Sequence, residues 1–574
     1  MKPNKLVFIL LASALIFSGC NLPANLTPEP PSISTVYAEL LQTMTPGILD
    51  TPSPGNPDQI LTISPTEVPN SSEAENPPKL FLHPGLPKAL MAEFDLSNFD
   101  IVTDEADAEL RILVSEGSTT VQAEDETSWI FAVAAPFYTI QDEISASNLS
   151  KLWLGESPND TSFDKIMLTA ETKAAMITLF GQPDESVVNV IESGDYESWA
   201  ASTDPFLAIL PFEALTPRWK VLRLDGRSPI NDDFDPRSYP LTTAIWIEGD
   251  LGEENIPLPA SNYHKDQRTV LIMTGVTALT RATAHQMEVR GNRFPGQDIQ
   301  QWLNSADITH ISNEVPFAVN CPSPDPNQQD LIFCSSPDRV ELLDYVGADI
   351  IELSGNHMLD YGIAAMNLTL EMYENRGWLT YAGGWDLDDS RTPAKITHNG
   401  NKLAFLGCNP VGPPNAWATA SQPGSAPCGN FEWMETEIQQ LHSEGYLPIV
   451  TLQYAEDYTG YPGPQMVKDF TMLADFGAIV VNGSQAHTPK IMTFYEDSFL
   501  HYGLGNLFFD QMHVYYSDVL MQGTREEFID RLIFYDGKLI SIELLTAMLE
   551  DYARPRPMTV SERESLLSRI FDYR

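Results

Sequence analysis

Basic residues are scarce in this chain. Its 33 Lys and Arg face 79 Asp and Glu, a formal net charge of -46 at pH 7 with His neutral. So one-sided a balance excludes nucleic-acid binding and docking on anionic lipid through a basic patch. It fits a soluble extracellular surface. Cysteine is also rare, five in 574 residues. No CxxC spacing is present, so a thiolate metal site has no support. After the first twenty residues no apolar run is long enough to span a bilayer. Two catalytic signatures are missing as well. No Gly-x-Ser-x-Gly turn offers a nucleophile elbow, and no phosphate-cradling loop ends in Lys-Ser or Lys-Thr.

What is present begins with MKPNKLVFILLASALIFSGC. A basic start and a short apolar run read as a secretory signal rather than a membrane span. The pair Ser18-Gly19 before Cys20 resembles a bacterial lipobox, with Phe17 where Leu is usual. The expectation is cleavage before Cys20 and a lipid on it, anchoring the chain at the outer face of the cell membrane. An ordinary secretion signal that ends in Cys is the alternative. With Cys20 as the anchor, Cys321, Cys334, Cys408 and Cys428 remain. An even number in an exported chain suggests disulfides. Four cysteines allow three connectivities, and the local pairs 321–334 and 408–428 are the most economical.

Four segments follow from texture: a signal over 1–20, a stalk over 21–78, and two α/β domains over 79–250 and 266–574. The stalk is rich in Pro, Ser, Thr and Asn and has no Lys or Arg, so it has nothing with which to bury a core. In the first domain LRILV, WIFAVAAPF, FLAILPF and TAIWI read as buried strands. Helical spacing in TAETKAAMITLFG and DYESWAAS separates them. Its phrases SASNLSKLWLG and FLAILPFEALTPRWKVLRLDG resemble the periplasmic solute-binding fold of the phosphate-binding type, although the domain is short for two lobes. The second domain offers TVLIM, ITHIS, DIIELS, KLAFLG, LPIVTLQ, AIVVNG and SFLHYGLG as strands, with amphipathic helices between them. The chain is expected to end in one strand and a small helical tail.

Polar residues in the second domain cluster just after strands, the edge of an open α/β sheet where sites form. Asn313 and Glu314 follow ITHIS, and Asn356 and His357 follow DIIELSG. Gln453 closes IVTL, while Gln485 and His487 follow AIVVN. Singly, each is weak evidence, since a lone buried His is more often structural. Together they point to one shared site. The aromatic loop YAEDYTGYPG beyond Gln453 either lines a saccharide or peptide groove or is ordinary loop packing, and the second is favoured.

The order GVTALTR, SNEVPF, LSGNHMLDYG, LQYAEDY, NGSQAH and YGLGNLFFD resembles the CapA-type capsule synthesis proteins associated with poly-γ-glutamate. The resemblance covers residues 268 to about 512. It implies a layered α/β domain of the calcineurin-like metallophosphatase type, preceded here by the smaller solute-binding-like α/β domain. By resemblance Asn356 is a metal ligand and His357 a general acid near the leaving group. Asp360 either orients that imidazole or caps the helix that follows. Arg281 stands where the family has a substrate-facing arginine. The family's Asn-Leu-Glu phrase appears as Asn313-Glu314, a carboxylate kept with shifted spacing, and the pattern departs further in three places. Val276 replaces the ligating Asp, Gln453 stands in the His-Trp-Gly phrase, and the last His-rich phrase keeps only His487.

Glu314, Asn356 and His487 remain as metal ligands, enough for one divalent ion (Mn, Zn or Mg) and too few for a dinuclear centre. Asn313, Gln453 and Gln485, which both donate and accept hydrogen bonds, suit a substrate bearing carboxylate, amide or sugar groups. Two functions stay open: a metal-assisted hydrolase or transferase acting on an envelope polymer, or a degenerate relative that binds such a polymer without turnover. The acidic surface would repel a polyglutamate at long range. A neutral polysaccharide or peptidoglycan fragment avoids that problem.

Overall fold

The protein is described from a computed structural model covering residues 77–572, apart from 117–125, 159–160, 203, 250–255, 514 and 517–518. The signal segment with Cys20 and nearly all of the stalk lie outside the described residues.

In the first domain the apolar runs form the strands Leu110–Glu116, Glu126–Pro136, Leu207–Pro211 and Thr242–Glu248. They belong to one nine-stranded mixed sheet in which Glu126–Pro136 joins the two halves. That strand is buried without a break from Trp129 to Pro136. An uninterrupted apolar run is what a strand covered on both faces requires. Helices Ala146–Trp153 and Ala170–Phe180 are each opened by a hydroxyl cap, Ser145 and Thr169.

The second domain has four layers. In one sheet Leu379–Tyr381, Ile350–Glu352, Ile308–Asn313 and Arg268–Met273 run parallel. Glu526–Tyr535, Lys538–Glu550 and Arg554–Pro557 extend that sheet antiparallel. In the other sheet Asn401–Cys408, Leu447–Leu452, Val480–Asn482 and Ser498–His501 run parallel, with antiparallel strands at both edges. Strand periodicity sorts the apolar residues. Leu271 and Met273 join Phe405, Val450 and Val481 in one core, while Ile272 turns to the opposite face with Ile311, Ile351, Met287, Met366 and Leu370. The helices Arg281–Arg290 and Gly362–Glu374 thus cover one sheet. Glu432–Ser443 and Pro464–Asp475 cover the other through Met434, Ile438, Phe470 and Leu473.

The C-terminal region differs from its sequence reading. It holds a long hairpin, Glu526–Tyr535 with Lys538–Glu550, and a helix of 12 residues, Val560–Phe571. The hairpin turns at Asp536-Gly537, both with positive φ (47° and 73°), the pairing that tight hairpins favour. The bonds Cys321–Cys334 and Cys408–Cys428 are both formed.

The two domains share a packed interface. Tyr535 meets Phe212 edge-on at 4.9 Å, and Phe137 meets Phe494 at 5.0 Å. Arg563, on the C-terminal helix, grips Asp142 of the first domain through Nε and Nη2, both at 2.9 Å. Lys220 Nζ reaches the same carboxylate at 2.6 Å. Burial alone would raise the Asp142 pKa, but Arg563 and Lys220 hold it well below the usual carboxylate range. A carboxyl depressed in the folded state adds stability that is full above its unfolded pKa of about 3.9 and is lost as pH falls below it. Asp142→Asn is therefore expected to cost about 2 kcal/mol at pH 7, seen as a lower thermal midpoint. The penalty should shrink as the pH is taken below about 4, which a melting series over pH 3–7 checks.

Candidate functional site

The site lies where strands of both sheets end. Glu314 follows Ile308–Asn313 on one sheet. Glu456 stands in the loop after Leu447–Leu452, and His487 in the loop after Val480–Asn482, on the other. One ligand atom from each of these three residues lies within 4.8 Å of the others. Glu314 and His487 are buried. The His487 Nε2 to Glu456 Oε1 distance is 3.4 Å.

The tautomer of His487 follows from its neighbour. Asn506 gives its Nδ2 to the carbonyls of His487 and Thr524, at 3.3 and 3.0 Å. Its Oδ1 therefore faces His487 Nδ1, 2.8 Å away, and accepts from it. Nε2 is left turned to the two carboxylates, the orientation that outer partners impose on metal-binding imidazoles. Phe509 stacks on the ring at 5.1 Å. Burial works against charge on His487, yet Glu456 and Glu314 raise its pKa to about 9. Burial raises Glu314, with the two nearby histidines acting against it. Glu456 is half-buried, which works to raise its pKa, but His487 holds it below its ordinary value.

These residues fit one divalent cation. Two carboxylates and one imidazole are a competent donor set. Around them Asn356 Oδ1, Gln453 Oε1 and Gln485 Oε1 are buried with no hydrogen-bond partner. Among the described residues a second ion finds no equivalent set. Val276, where the family pattern has its Asp, is fully buried in an apolar cluster with Ala278, Val315, Phe333 and Phe509.

His357 is buried beside Glu314. Its Nδ1 bonds Asp360 Oδ2 at 2.7 Å, and the same oxygen accepts from the Phe333 backbone N–H at 2.8 Å. Of the two roles considered for Asp360, orienting the imidazole is the one seen, because the helix Gly362–Glu374 begins with no side-chain cap. The Phe333 ring lies 4.6 Å from His357. Arg281 starts the helix Arg281–Arg290 with its guanidinium between Phe333 and Phe509, 5.0 Å from each. It pairs with Asp510, so its charge is neutralised within the protein.

Asn313 gives its Nδ2 to the Val315 carbonyl at 2.7 Å, and Gln485 its Nε2 to Ser312 Oγ at 2.6 Å. Both amide nitrogens are thus engaged inside the fold, while Gln485 Oε1 has no partner. Gln453 has only a long contact, 3.5 Å, to the Tyr454 carbonyl. His310 and His501 are structural: they are fully buried between the sheets and bond Tyr381 at 2.9 Å and Asp530 at 2.6 Å. Sequence reasoning missed Glu456, which the loop YAEDYTGYPG carries. Its signal was a carboxylate three residues past Gln453, on the strand end where an imidazole is lost. Phe333 and Phe509 were missed too, as aromatic residues whose role depends on loops meeting in space.

Fold and site together define a layered α/β domain with a largely buried carboxylate-imidazole cluster at its strand ends. Residues 270–511 match the family of bacterial capsule synthesis protein PGA_cap, and this domain is similar to CapA-type capsule synthesis proteins. The chain is 22% identical over 281 residues to the capsule biosynthesis protein CapA of Bacillus anthracis, covering 47% of this chain and 67% of that one. It is 24% identical over 180 residues to the PGA biosynthesis protein CapA of Bacillus subtilis, covering 31% and 47%. It thus spans less than half of the second relative's length. Among solved structures, a putative 5'-nucleotidase from Staphylococcus aureus is similar at 12% identity and a TM-score of 0.30, covering 53% of this chain and 58% of that one.

Because His487 holds a proton up to about pH 9, a cation must displace it. Affinity for Mn²⁺ is expected to climb as pH rises from 7 to 9, by at most about tenfold per unit. Titration calorimetry in buffers of different ionisation enthalpy should show protons released at pH 7. Affinity independent of pH would contradict the assignment of His487 as a ligand.

Proposed function

We propose that this protein is an exported accessory protein of envelope-polymer synthesis, tethered by a lipid on Cys20 at the outer face of the cell membrane. Its CapA-type domain acts as a single-metal hydrolase or transferase on a polymer of the poly-γ-glutamate kind. The observation that carries this reading is the convergence of Glu314, Glu456 and His487 within 4.8 Å, a third ionisable donor where the family's imidazoles are lost. When bound, a divalent ion supplies Lewis-acid polarisation of a substrate oxygen.

The chain's own groups do the rest. His357, held through Nδ1 by Asp360, gives a proton to the leaving group. Gln453 offers a buried carbonyl oxygen without a partner to substrate N–H or O–H groups. The burial of His357, Gln453 and Glu314 keeps bulk water from the reacting bond. The partner is the polymer or its fragments, and nucleic acid has no place in the scheme given the net charge of -46.

A second reading, binding without turnover, draws on Val276 and its apolar cluster, which remove the second metal position.

Metal analysis and turnover of phosphoesters and γ-glutamyl amides by the full chain separate the two. About one equivalent of metal is expected in wild type and in His357→Ala. Glu456→Gln should lose most of it, and His357→Ala should lose at least about a hundredfold in turnover. No metal after incubation with Mn²⁺ or Zn²⁺ would sink the hydrolase reading and leave the binding one.

A further inference from the structure

Lys490 is among the largest side chains buried in the protein, 1% exposed, and nothing in the proposed chemistry uses it. It stands three residues after His487, and its ammonium bonds none of Glu314, Glu456 and His487. It crosses instead to the neighbouring loop. Nζ donates to the carbonyls of Thr459 and Tyr461, at 2.8 and 3.4 Å, and pairs with the carboxylate of Asp457. All three acceptors lie within five residues of Glu456. Buried ammonium groups are costly unless fully partnered, and here the partners all come from one loop. The backbone adds to the join, with the N–H of Ile491 donating to the Gly460 carbonyl at 2.9 Å. Asp457 in turn accepts from Thr459 N and Oγ1, at 3.0 and 2.7 Å, which folds the loop on itself.

The stem of Lys490 reaches this position because Gly503 makes room. A Cβ on Gly503 would lie 2.9 Å from Lys490 Cγ and 2.7 Å from the Ala486 Cβ. The Gly503 carbonyl also accepts from the Lys490 N–H at 2.9 Å. One lysine therefore fastens the segment that carries His487 to the segment that carries Glu456. Those two ligands come from loops after different strands, and 33 residues separate Lys490 from Asp457. The two strands are parallel neighbours, which brings the loops to one edge of the sheet, and the lysine fixes one loop on the other.

We propose that Lys490 is a positioning residue for the cation site: clamping the 456–461 loop, it holds the Glu456 carboxylate against His487. The inference rests on the metal reading above, and the experiment keeps the two apart. Mn²⁺ affinity by calorimetry and hydrogen–deuterium exchange are measured on the full chain as wild type, Lys490→Met, Asp457→Ala and Glu456→Gln. Lys490→Met should bind Mn²⁺ at least about tenfold more weakly, as loss of an outer-shell partner does, with faster exchange confined to residues 455–462. Asp457→Ala, at a carboxylate 41% exposed, should shift both readouts the same way by less, and it decides the matter if Lys490→Met does not fold. Glu456→Gln should lose Mn²⁺ while its loop stays protected.

If wild type and Lys490→Met bind Mn²⁺ alike and exchange alike, the proposal is overturned and the metal reading stands. If wild type binds no Mn²⁺ the metal reading falls. Exchange alone then judges the clamp, and unchanged protection over 455–462 overturns that as well.

Discussion

The structure of the second domain turns on one electrostatic constraint: two carboxylates and an imidazole are held together largely out of water where two sheets end. Burying a carboxylate is expensive, and burying two side by side more so, unless a positive charge lies between them. In the protein alone His487 supplies that charge, which is why its proton is held so firmly and why Glu456 stays ionised. Asn506, Phe509 and the strand ends fix the imidazole. Much of the local architecture is the apparatus needed to keep these three groups in contact.

The same constraint makes sense of the departures from the family pattern. With Val276 in place of an acid, the position beside the site fills with Ala278, Val315, Phe333 and Phe509. Two of those aromatic rings then serve other partners, Phe333 against His357 and both against Arg281. This part of the domain is an apolar wall, and the ionisable donors that converge are Glu314, Glu456 and His487. Arg281, neutralised by Asp510, does not offset the acidity of the surface at long range. Approach of a polyanion to this chain works against its net charge of -46, whereas a neutral segment meets no such barrier.

The layered fold was legible because buried parallel strands write themselves as apolar runs: DIIELS, KLAFLG, LPIVTLQ and AIVVNG each mark a strand. The strand Glu526–Tyr535 was not. Its run EEFIDRLIFY interleaves Glu527, Asp530 and Arg531, all buried, with apolar residues, so charge hides a central strand. Glu314 and His487 were visible at their strand ends, and the bonds Cys321–Cys334 and Cys408–Cys428 are the most economical of the three pairings that the sequence left open. Glu456 was hidden because its place is set by a loop crossing that only the folded chain contains. The amides of Asn313 and Gln485 could not be assigned from sequence either, since which group they face depends on backbone that approaches from elsewhere.

The central claim is that one cation sits among Glu314, Glu456 and His487. Pulsed electron paramagnetic resonance of the Mn²⁺-loaded full chain tests it most directly, by counting the nitrogens bound to the metal. The account predicts an isolated Mn²⁺ coupled to a single imidazole nitrogen, with the coupling abolished in His487→Gln. An exchange-coupled pair of ions, or a bound Mn²⁺ with no nitrogen coupling, would contradict it.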